Sequence, residues 1–217
     1  MIKENIDRIN NEVGGNVLLV VVSKYRELDE VKRAYDAGHR DFAENRVQEL
    51  LTKQEALPND INWHIIGHLQ TNKVKYIAPF IGCIHSVDSL KLAKEINKQA
   101  EKNNRSIKIL LQVYIADEET KFGFDETELI QLLEEGGLQA LPHIHICGLM
   151  GMATNTDNME QVRSEFAHLK QLFNQLKANY FKDKDDFKEI SMGMSSDYKI
   201  AVEEGSTMVR VGSAVFN

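Results

Sequence analysis

The chain has 217 residues, of which 42% are hydrophobic and 27% charged, and its formal net charge is −7. This composition is ordinary for a soluble globular protein, and no stretch approaches the roughly 20 apolar residues that a membrane-spanning helix needs. The acidic balance and the lack of a Lys/Arg block argue against binding to nucleic acid or to a membrane surface.

The first half of the chain alternates between helical and extended patterns. Apolar residues three or four apart predict helices, and short apolar or β-branched runs predict strands. In order, the patterns predict a helix over 2–12, a strand over 17–23, a helix over 28–37, a strand over 40–43, a helix over 45–55, a strand over 62–66, a helix over 72–78 and a strand over 81–85. Asp88 is expected to cap the next helix, which carries Leu92, Ala93 and Ile96.

The second half repeats this alternation. It predicts strands over 107–113, 144–149, 187–192 and 207–211, and helices over 126–134, 158–178 and 195–204. Asp125, with Glu128 three residues later, resembles a capping box at the start of helix 126–134. Helix 158–178 could also form a coiled-coil seam, but an outer helix on a sheet fits the alternation better.

Eight strands with helices in the seven gaps predict an α/β fold with a parallel sheet, because parallel neighbours need crossover connections. Eight such units predict one (β/α)8 TIM barrel domain over residues 1–217. No helix is predicted after the eighth strand, so helix 2–12 is expected to take that place, and no C-terminal β domain is expected. The alternative is an open doubly wound sheet, which more often has a glycine-rich loop where this chain has residues 23–26.

The N-terminus and the two cysteines indicate a cytoplasmic protein. The N-terminus lacks the apolar core of a signal peptide. Cys83 and Cys147 are isolated within apolar runs and lack metal-ligand spacing, which is typical of buried thiols in a reducing compartment.

Residues that follow the strands are the candidates for function, because a TIM barrel holds its site at the C-terminal ends of its strands. Ser195 and Ser196 are predicted to begin a helix, where free N–H groups and the helix dipole favour an anion. Gly212 and Ser213 follow the next strand, and glycine allows close approach of the backbone to a ligand. Each could be a simple cap or turn residue, but together they favour a phosphate site.

Lys24 and Arg210 should meet where the barrel closes. Arg210 can point its guanidinium, which is permanently charged, into the C-terminal opening of the barrel. The alternative is an ion pair between Arg210 and a nearby carboxylate. A lysine that is partly desolvated near another cation becomes a nucleophile toward carbonyl groups. Lys24 could instead simply mark where its strand reaches the surface. Phosphate, arginine and reactive lysine around one cavity favour a site for pyridoxal phosphate (PLP), held as a Schiff base.

Several segments resemble a known family, the pyridoxal phosphate homeostasis proteins, which are single-domain barrel relatives of the alanine racemase N-terminal domain. The matching segments are VVSK (21–24), AENRVQE (43–49), WHIIGHLQTNK (63–73), HSVD (85–88), GLM (148–150), SMGMS with Asp197 (191–197) and GSTMVRVG (205–212). They occur in the family's order and span residues 21–212.

The resemblance implies roles for individual residues. Lys24 would be the Schiff-base lysine, Asn45 would lie beside the cofactor ring, and Arg210 would face the pyridine nitrogen. The phosphate would be held by Ser195, Ser196, Gly212 and Ser213. The resemblance implies a role in binding and delivering PLP and so in keeping the pools of vitamin B6 and amino acids in balance.

Three departures from the family pattern stand out. Tyr114 occupies a position where asparagine is usual, although a tyrosine there could still line the pocket. Ser213 stands where threonine is common, and the chain ends at Asn217 where the family usually continues.

The expected role is that of a carrier without robust catalytic turnover. Arg210 cannot accept a proton from the pyridine nitrogen, which leaves the ring a weak electron sink. Racemisation also needs an acid and a base on opposite faces of the substrate, and in alanine racemase the second group comes from a C-terminal domain. No catalytic or metal-binding residue is assigned. The protein is expected to be a monomer in transient contact with PLP-dependent apo-enzymes.

Three alternatives remain open at this point. One is a slow PLP-dependent racemase or a related amino-acid enzyme. The second is a metal-dependent hydrolase that uses His64, His68, His143 and His145. The third is a phosphosugar or phosphonucleotide enzyme, for which Glu44 and Asp88 would be the rim carboxylates.

Overall fold

The computed structural model describes residues 1–117 and 122–217. Within them, eight parallel strands form a closed barrel in chain order. The strands are β1 Leu18–Val22, β2 Asp41–Glu44, β3 Asn62–Ile65, β4 Cys83–Val87, β5 Ile107–Gln112, β6 Ile144–Met150, β7 Glu189–Ser191 and β8 Met208–Val211. β8 pairs with β1 from Leu18↔Met208 to Val21↔Val211, which closes the barrel. The predicted TIM barrel is therefore confirmed, and the open sheet is wrong.

Helices surround the barrel. They are α1 Ile2–Val13, α2 Leu28–Asp36, α3 Val47–Ala56, α4 Val74–Ile77 after a 3₁₀ turn at Thr71–Lys73, α5 Leu90–Lys102, α6 Glu126–Glu134, α7 Met159–Tyr180, α8 Tyr198–Glu203 and α9 Ser213–Phe216. The predicted helices are found with shifted ends. None of the helices in the described ranges is both long and apolar enough to cross a bilayer.

Helix α1 covers the seam where the barrel closes, as the sequence predicted. It buries Ile2, Ile6, Ile9 and Val13 and contacts α2, α8, α9 and β1. The expectation that no helix follows β8 is wrong, because the one-turn helix α9 does. Four residues are too few to show a helical period, so the sequence pattern does not reveal it.

Two predicted helix starts need correction. Ser89, and not Asp88, caps α5, because its side chain accepts a hydrogen bond from the Leu92 N–H. Helix α8 begins at Tyr198, with Asp197 at the N-cap position, so Ser195 and Ser196 precede it. The cap at Asp125 is confirmed, because its carboxylate accepts bonds from the next helical N–H groups.

The core has two layers of different character. The outer layer, between strands and helices, is apolar and contains large buried side chains such as Phe42, Phe124, Phe166 and Phe187. The barrel interior has a smaller apolar cluster of Cys83, Leu110, Cys147, Met150 and Met208, and it also contains buried polar side chains. Both cysteines are free and buried, and burial raises the pKa of Cys147 to about 11.

Candidate functional site

A cavity of about 620 Å³ opens at the C-terminal mouth of the barrel. Its volume lies within the roughly 300–1,000 Å³ that is usual for small-molecule sites. Seven residues singled out from the sequence line it together: Lys24, Asn45, Ser195, Ser196, Arg210, Gly212 and Ser213. They come from the loops after β1, β2, β7 and β8 and from β8 itself, so the barrel brings them to one place as predicted. Their individual roles stay predictions.

Lys24 lies directly after β1, at a sharp turn of the chain. Tyr25 has a φ of 61°, a left-handed conformation that non-glycine residues rarely adopt. Its N–H donates to Glu49 Oε2 at 3.3 Å, which helps to hold this turn. Lys24 itself is exposed, and its side chain has no hydrogen bond or ion pair within the described residues. The expected partial desolvation of Lys24 is therefore wrong, and its amine is free to meet a ligand.

A buried ion pair supports the end of β1 beneath Lys24. Lys53 Nζ lies 2.6 Å from Glu44 Oε1 and donates to the Ser23 carbonyl at 2.6 Å. The Ser23 hydroxyl also donates to Glu44 Oε1 at 2.6 Å. Burial raises the pKa of Glu44, and the bonds from Lys53 and Ser23 oppose that rise. Glu44 is thus a buried structural group, and the prediction that it lies on the rim is wrong.

The sequence carries a signal for the buried position of Lys53. Lys53 lies three residues after Leu50, so it falls on the apolar face of α3. A lysine at such a position needs either a route to water or a buried partner.

Arg210 is 3% exposed and points from β8 into the barrel mouth. It donates from Nη1 to Ser191 Oγ at 2.6 Å and from Nη2 to the Gly151 carbonyl at 3.0 Å. It forms no ion pair within the ranges that the structure describes, so that alternative is wrong. Burial lowers the pKa of Arg210 to about 10, and the charge of Asp197 opposes this, so the guanidinium stays charged at pH 7.

The loops after β7 and β8 form the predicted anion site in a different way from that expected. Ser195 and Ser196 lie in a turn before α8, so the helix-dipole argument for them is wrong. Instead, the backbone N–H groups of Ser195, Ser196 and Ser213 have no acceptor among the described residues. Ser195 Oγ accepts bonds from the Gly212 and Ala214 N–H groups, both at 3.3 Å, and so ties the two loops together.

Gly212 is required by the close approach of two strand ends. A Cβ atom built there would lie 3.0 Å from the Val22 carbonyl oxygen of β1. The glycine therefore brings the loop after β8 close to the end of β1, which leads into Lys24.

The predictions from sequence missed or misplaced other residues that line the cavity. Tyr114 is not among the residues that line the cavity, whereas Gln112 on β5 is. Strand alternation could have indicated Gln112, because it shares a face with the interior residue Leu110. The mouth also carries the exposed apolar side chains of Tyr25, Phe122, Met152 and Met194.

The carboxylate-based alternative finds no support in this cavity. Its described lining contains no Asp or Glu side chain. Asp88 lies near the mouth but contacts His68, with Oδ2 3.2 Å from Nδ1.

The four histidines of the metal-hydrolase alternative do not converge. His143 and His145 flank the start of β6, near Glu101 and Asp186 respectively, at the end of the barrel away from the cavity. His68 is at the mouth, and His64 is buried inside the barrel.

A different trio, His64, Cys83 and His85, places its ligand atoms within 4.8 Å of one another. The ring nitrogens of both histidines already have hydrogen-bond partners in protein side chains. Burial also raises the pKa of the Cys83 thiol far above its usual value. This trio is therefore better described as part of a hydrogen-bonded interior than as a metal centre.

Comparison with known proteins identifies the family. The family model described as "Alanine racemase, N-terminal domain" matches residues 1–217. A pyridoxal phosphate homeostasis protein from Aquifex aeolicus is 41% identical over 199 residues, which cover 91% of this chain and 85% of the relative. The chain belongs to the pyridoxal phosphate homeostasis protein family. The resemblance stated from the sequence motifs is thus confirmed.

Solved structures of another member of the family show the same barrel. PipY from Synechococcus elongatus without PLP has a TM-score of 0.93 and 35% identity, with 100% of both chains covered. The same protein with PLP bound has a TM-score of 0.90 and 34% identity, again over 100% of both chains. The family fold therefore extends over the whole of this chain.

Proposed function

We propose that this protein binds pyridoxal 5′-phosphate and serves the intracellular homeostasis and delivery of that cofactor. The observation that carries the proposal is one cavity that combines an exposed lysine, a buried charged arginine and backbone N–H groups that have no acceptor in the described part of the chain. The names of the family members and the PLP-bound PipY structure support the same ligand.

Each part of the cavity matches one part of the cofactor. The Nζ amine of Lys24 would form a C=N bond to the aldehyde carbon, with the loss of one water molecule. The N–H groups of Ser195, Ser196 and Ser213 would receive the phosphate, beside Gly212. Arg210 would face the pyridine nitrogen, and Asn45 would lie beside the ring.

Delivery is consistent with the exposure of Lys24. A linkage formed at an exposed lysine can be reached by another amine or by water, which release requires. When bound, PLP can act as an electron sink for amino-acid chemistry. Arg210 only donates hydrogen bonds, and the described lining of the cavity has no carboxylate that would stabilise a protonated ring nitrogen and so strengthen the sink. We therefore favour storage and delivery over turnover.

The setting of this function is part of the proposal. We propose a monomer in the cytoplasm that contacts PLP-dependent apo-enzymes transiently. The two free, buried cysteines are compatible with a reducing compartment.

The binding proposal is tested by titrating the purified protein with PLP. We expect a visible absorption band, and borohydride reduction followed by peptide mass spectrometry should locate the added mass on Lys24. Pyridoxine 5′-phosphate, which has no aldehyde, is the matched control and should bind without a covalent label. The absence of a band, or a label spread over surface lysines, would contradict the proposal. Rapid conversion of added L-amino acids to D-isomers or keto acids would favour the racemase alternative.

The phosphate part of the site has its own test. Ser195→Ala removes the hydroxyl that accepts bonds from Gly212 and Ala214 and should loosen both loops. We expect about tenfold weaker binding of PLP, about 1.4 kcal/mol, because the loosened loops would no longer hold their N–H groups in place for the phosphate. Pyridoxal, which lacks the phosphate, should bind the wild type and the variant equally. A similar loss for both ligands in spectroscopic titrations would show that Ser195 does not act through the phosphate.

A further inference from the structure

A line of hydrogen-bonded side chains runs through the barrel interior from Arg210 to Asp41. Arg210 Nη1 lies 2.6 Å from Ser191 Oγ, which lies 2.8 Å from His85 Nδ1. His85 Nε2 lies 2.8 Å from His64 Nδ1, and His64 Nε2 lies 3.1 Å from Asp41 Oδ1. Ser191 and His85 are 0% exposed and His64 is 1% exposed. These groups are withdrawn from water and must satisfy one another.

Arg210 at one end of the line can only donate hydrogen bonds, and the Asp41 carboxylate at the other end can only accept them. These two ends determine which atom donates in each bond between them. A guanidinium can only donate, so Ser191 Oγ accepts from Arg210 and its own hydrogen is available for His85 Nδ1. A neutral imidazole that accepts at Nδ1 carries its hydrogen on Nε2. His85 Nε2 is therefore the donor to His64 Nδ1. His64 then donates from Nε2 to the Asp41 carboxylate at 3.1 Å. The Asn62 Nδ2 amide lies 3.1 Å from the same His64 nitrogen and donates to Asp41 Oδ1 at the shorter distance of 2.6 Å. Every donor thus points from the buried cation toward the anion.

The protonation states of the groups agree with this order. Burial lowers the pKa of His85 well below its usual value, and the positive charge of Arg210 adds to this effect, so its ring is neutral. Burial tends to raise the pKa of Asp41, but hydrogen bonds from His64 and Asn62 outweigh it and the net pKa is lowered. The reverse order would place the His64 Nε2 lone pair against the Asp41 carboxylate, which is unfavourable.

We propose that Ser191, His85 and His64 are positioning residues for Arg210, anchored on Asp41 at the far end of the line. Together with the Gly151 carbonyl, Ser191 fixes both terminal nitrogens of the guanidinium and so fixes its direction into the cavity. A side chain held by such a supporting network is preorganised for its ligand. The identity of that ligand rests on the proposed function, but the ordering of Arg210 does not.

The chain provides a matched control in Ser206. This serine is also buried, at 4% exposed, in the segment that leads into β8. Its hydroxyl contacts only backbone carbonyls, including that of Met192 at 2.8 Å, and it does not contact Arg210. Ser191→Ala and Ser206→Ala therefore remove the same atom from similar surroundings, and only the first interrupts the line.

The first experiment uses ¹⁵N NMR on the protein without added ligand. We expect His64 and His85 both to carry their proton on Nε2, and the Arg210 side-chain signals to show slow rotation of the guanidinium. In Ser191→Ala this rotation should become fast, whereas in Ser206→Ala it should stay slow. A proton on Nδ1 of either ring, or unchanged Arg210 signals in Ser191→Ala, would overturn the proposal.

The second experiment measures PLP binding by visible absorption. Ser191→Ala should bind PLP about tenfold more weakly, as expected for a lost charge-assisted hydrogen bond, and should show a shifted band. Ser206→Ala should bind like the wild type. If the wild type bound no PLP while the NMR results held, only the proposed function would fail. If both variants bound like the wild type, the positioning role of Ser191 would be wrong.

Discussion

Replacing Lys24 by alanine should abolish the visible band of the PLP-loaded protein and all borohydride-stable labelling. The amine is the group that forms the C=N bond, and alanine has no substitute for it. Arg210 and the N–H groups of the phosphate loops are unchanged by this substitution, so weaker, non-covalent binding should persist. Equilibrium dialysis with absorption spectra before and after reduction would measure both effects.

Lys73→Ala is the control for this experiment. Lys73 is an exposed lysine that contacts the Tyr76 ring and lines a neighbouring groove instead of the cavity described above. We expect its substitution to leave the band and the labelling unchanged. The assignment of Lys24 would be refuted if Lys24→Ala bound PLP as well as the wild type does.

Replacing Lys53 by methionine should lower the free energy of unfolding by about 3–5 kcal/mol, because it leaves the buried carboxylate of Glu44 without its partner. Lys53 is 6% exposed and Glu44 is 0% exposed, so water cannot replace the lost contact. The Ser23 carbonyl, directly before Lys24, would also lose one of its donors and keep the Arg26 N–H at 3.0 Å. Urea denaturation of wild type and variant would measure the change.

Two further variants test whether the broken ion pair causes the loss of stability in Lys53→Met. The double variant Glu44→Leu/Lys53→Met removes both charges and should recover most of the loss, since an apolar pair of similar volume can replace a buried ion pair. Lys32→Met removes a lysine from an exposed pair with Asp36 and should leave the unfolding midpoint unchanged. If Lys53→Met were no more harmful than Lys32→Met, the structural role of the buried pair would be wrong.

The barrel could be predicted from the sequence because its strongest strand is apolar on both faces. Residues 17–22 show no alternation, which indicates a strand covered by helices outside and by other strands inside. Once eight such units are counted, the position of Lys24 at a strand end follows from the fold alone. Arg210 and Gly212 follow by the same rule at the neighbouring strand.

The sequence-based predictions that were wrong depend on contacts that the local sequence pattern does not show. Ser195, Ser196 and Asp197 are three successive residues that can all cap a helix. Asp197 takes the N-cap position of α8, but its Oδ1 accepts a bond from the preceding Met194 N–H and not from a helical N–H. Glu44 lies at the end of β2 and Lys53 lies in α3. The sequence around each residue does not show that the two side chains form a pair. The line from Asp41 to Arg210 crosses several strands, so it depends on their register around the barrel.

The pairing of β1 with β8 has a consequence for how the protein is made. During synthesis on the ribosome, β1 must wait for its partner until the six intervening strands and β8 itself have been translated. The barrel cannot close before then, and helix α1 cannot dock on its final neighbours α8 and α9. Because Lys24 and Arg210 lie on the two sides of this last junction, a nascent chain lacks the complete cavity until its final strand is released.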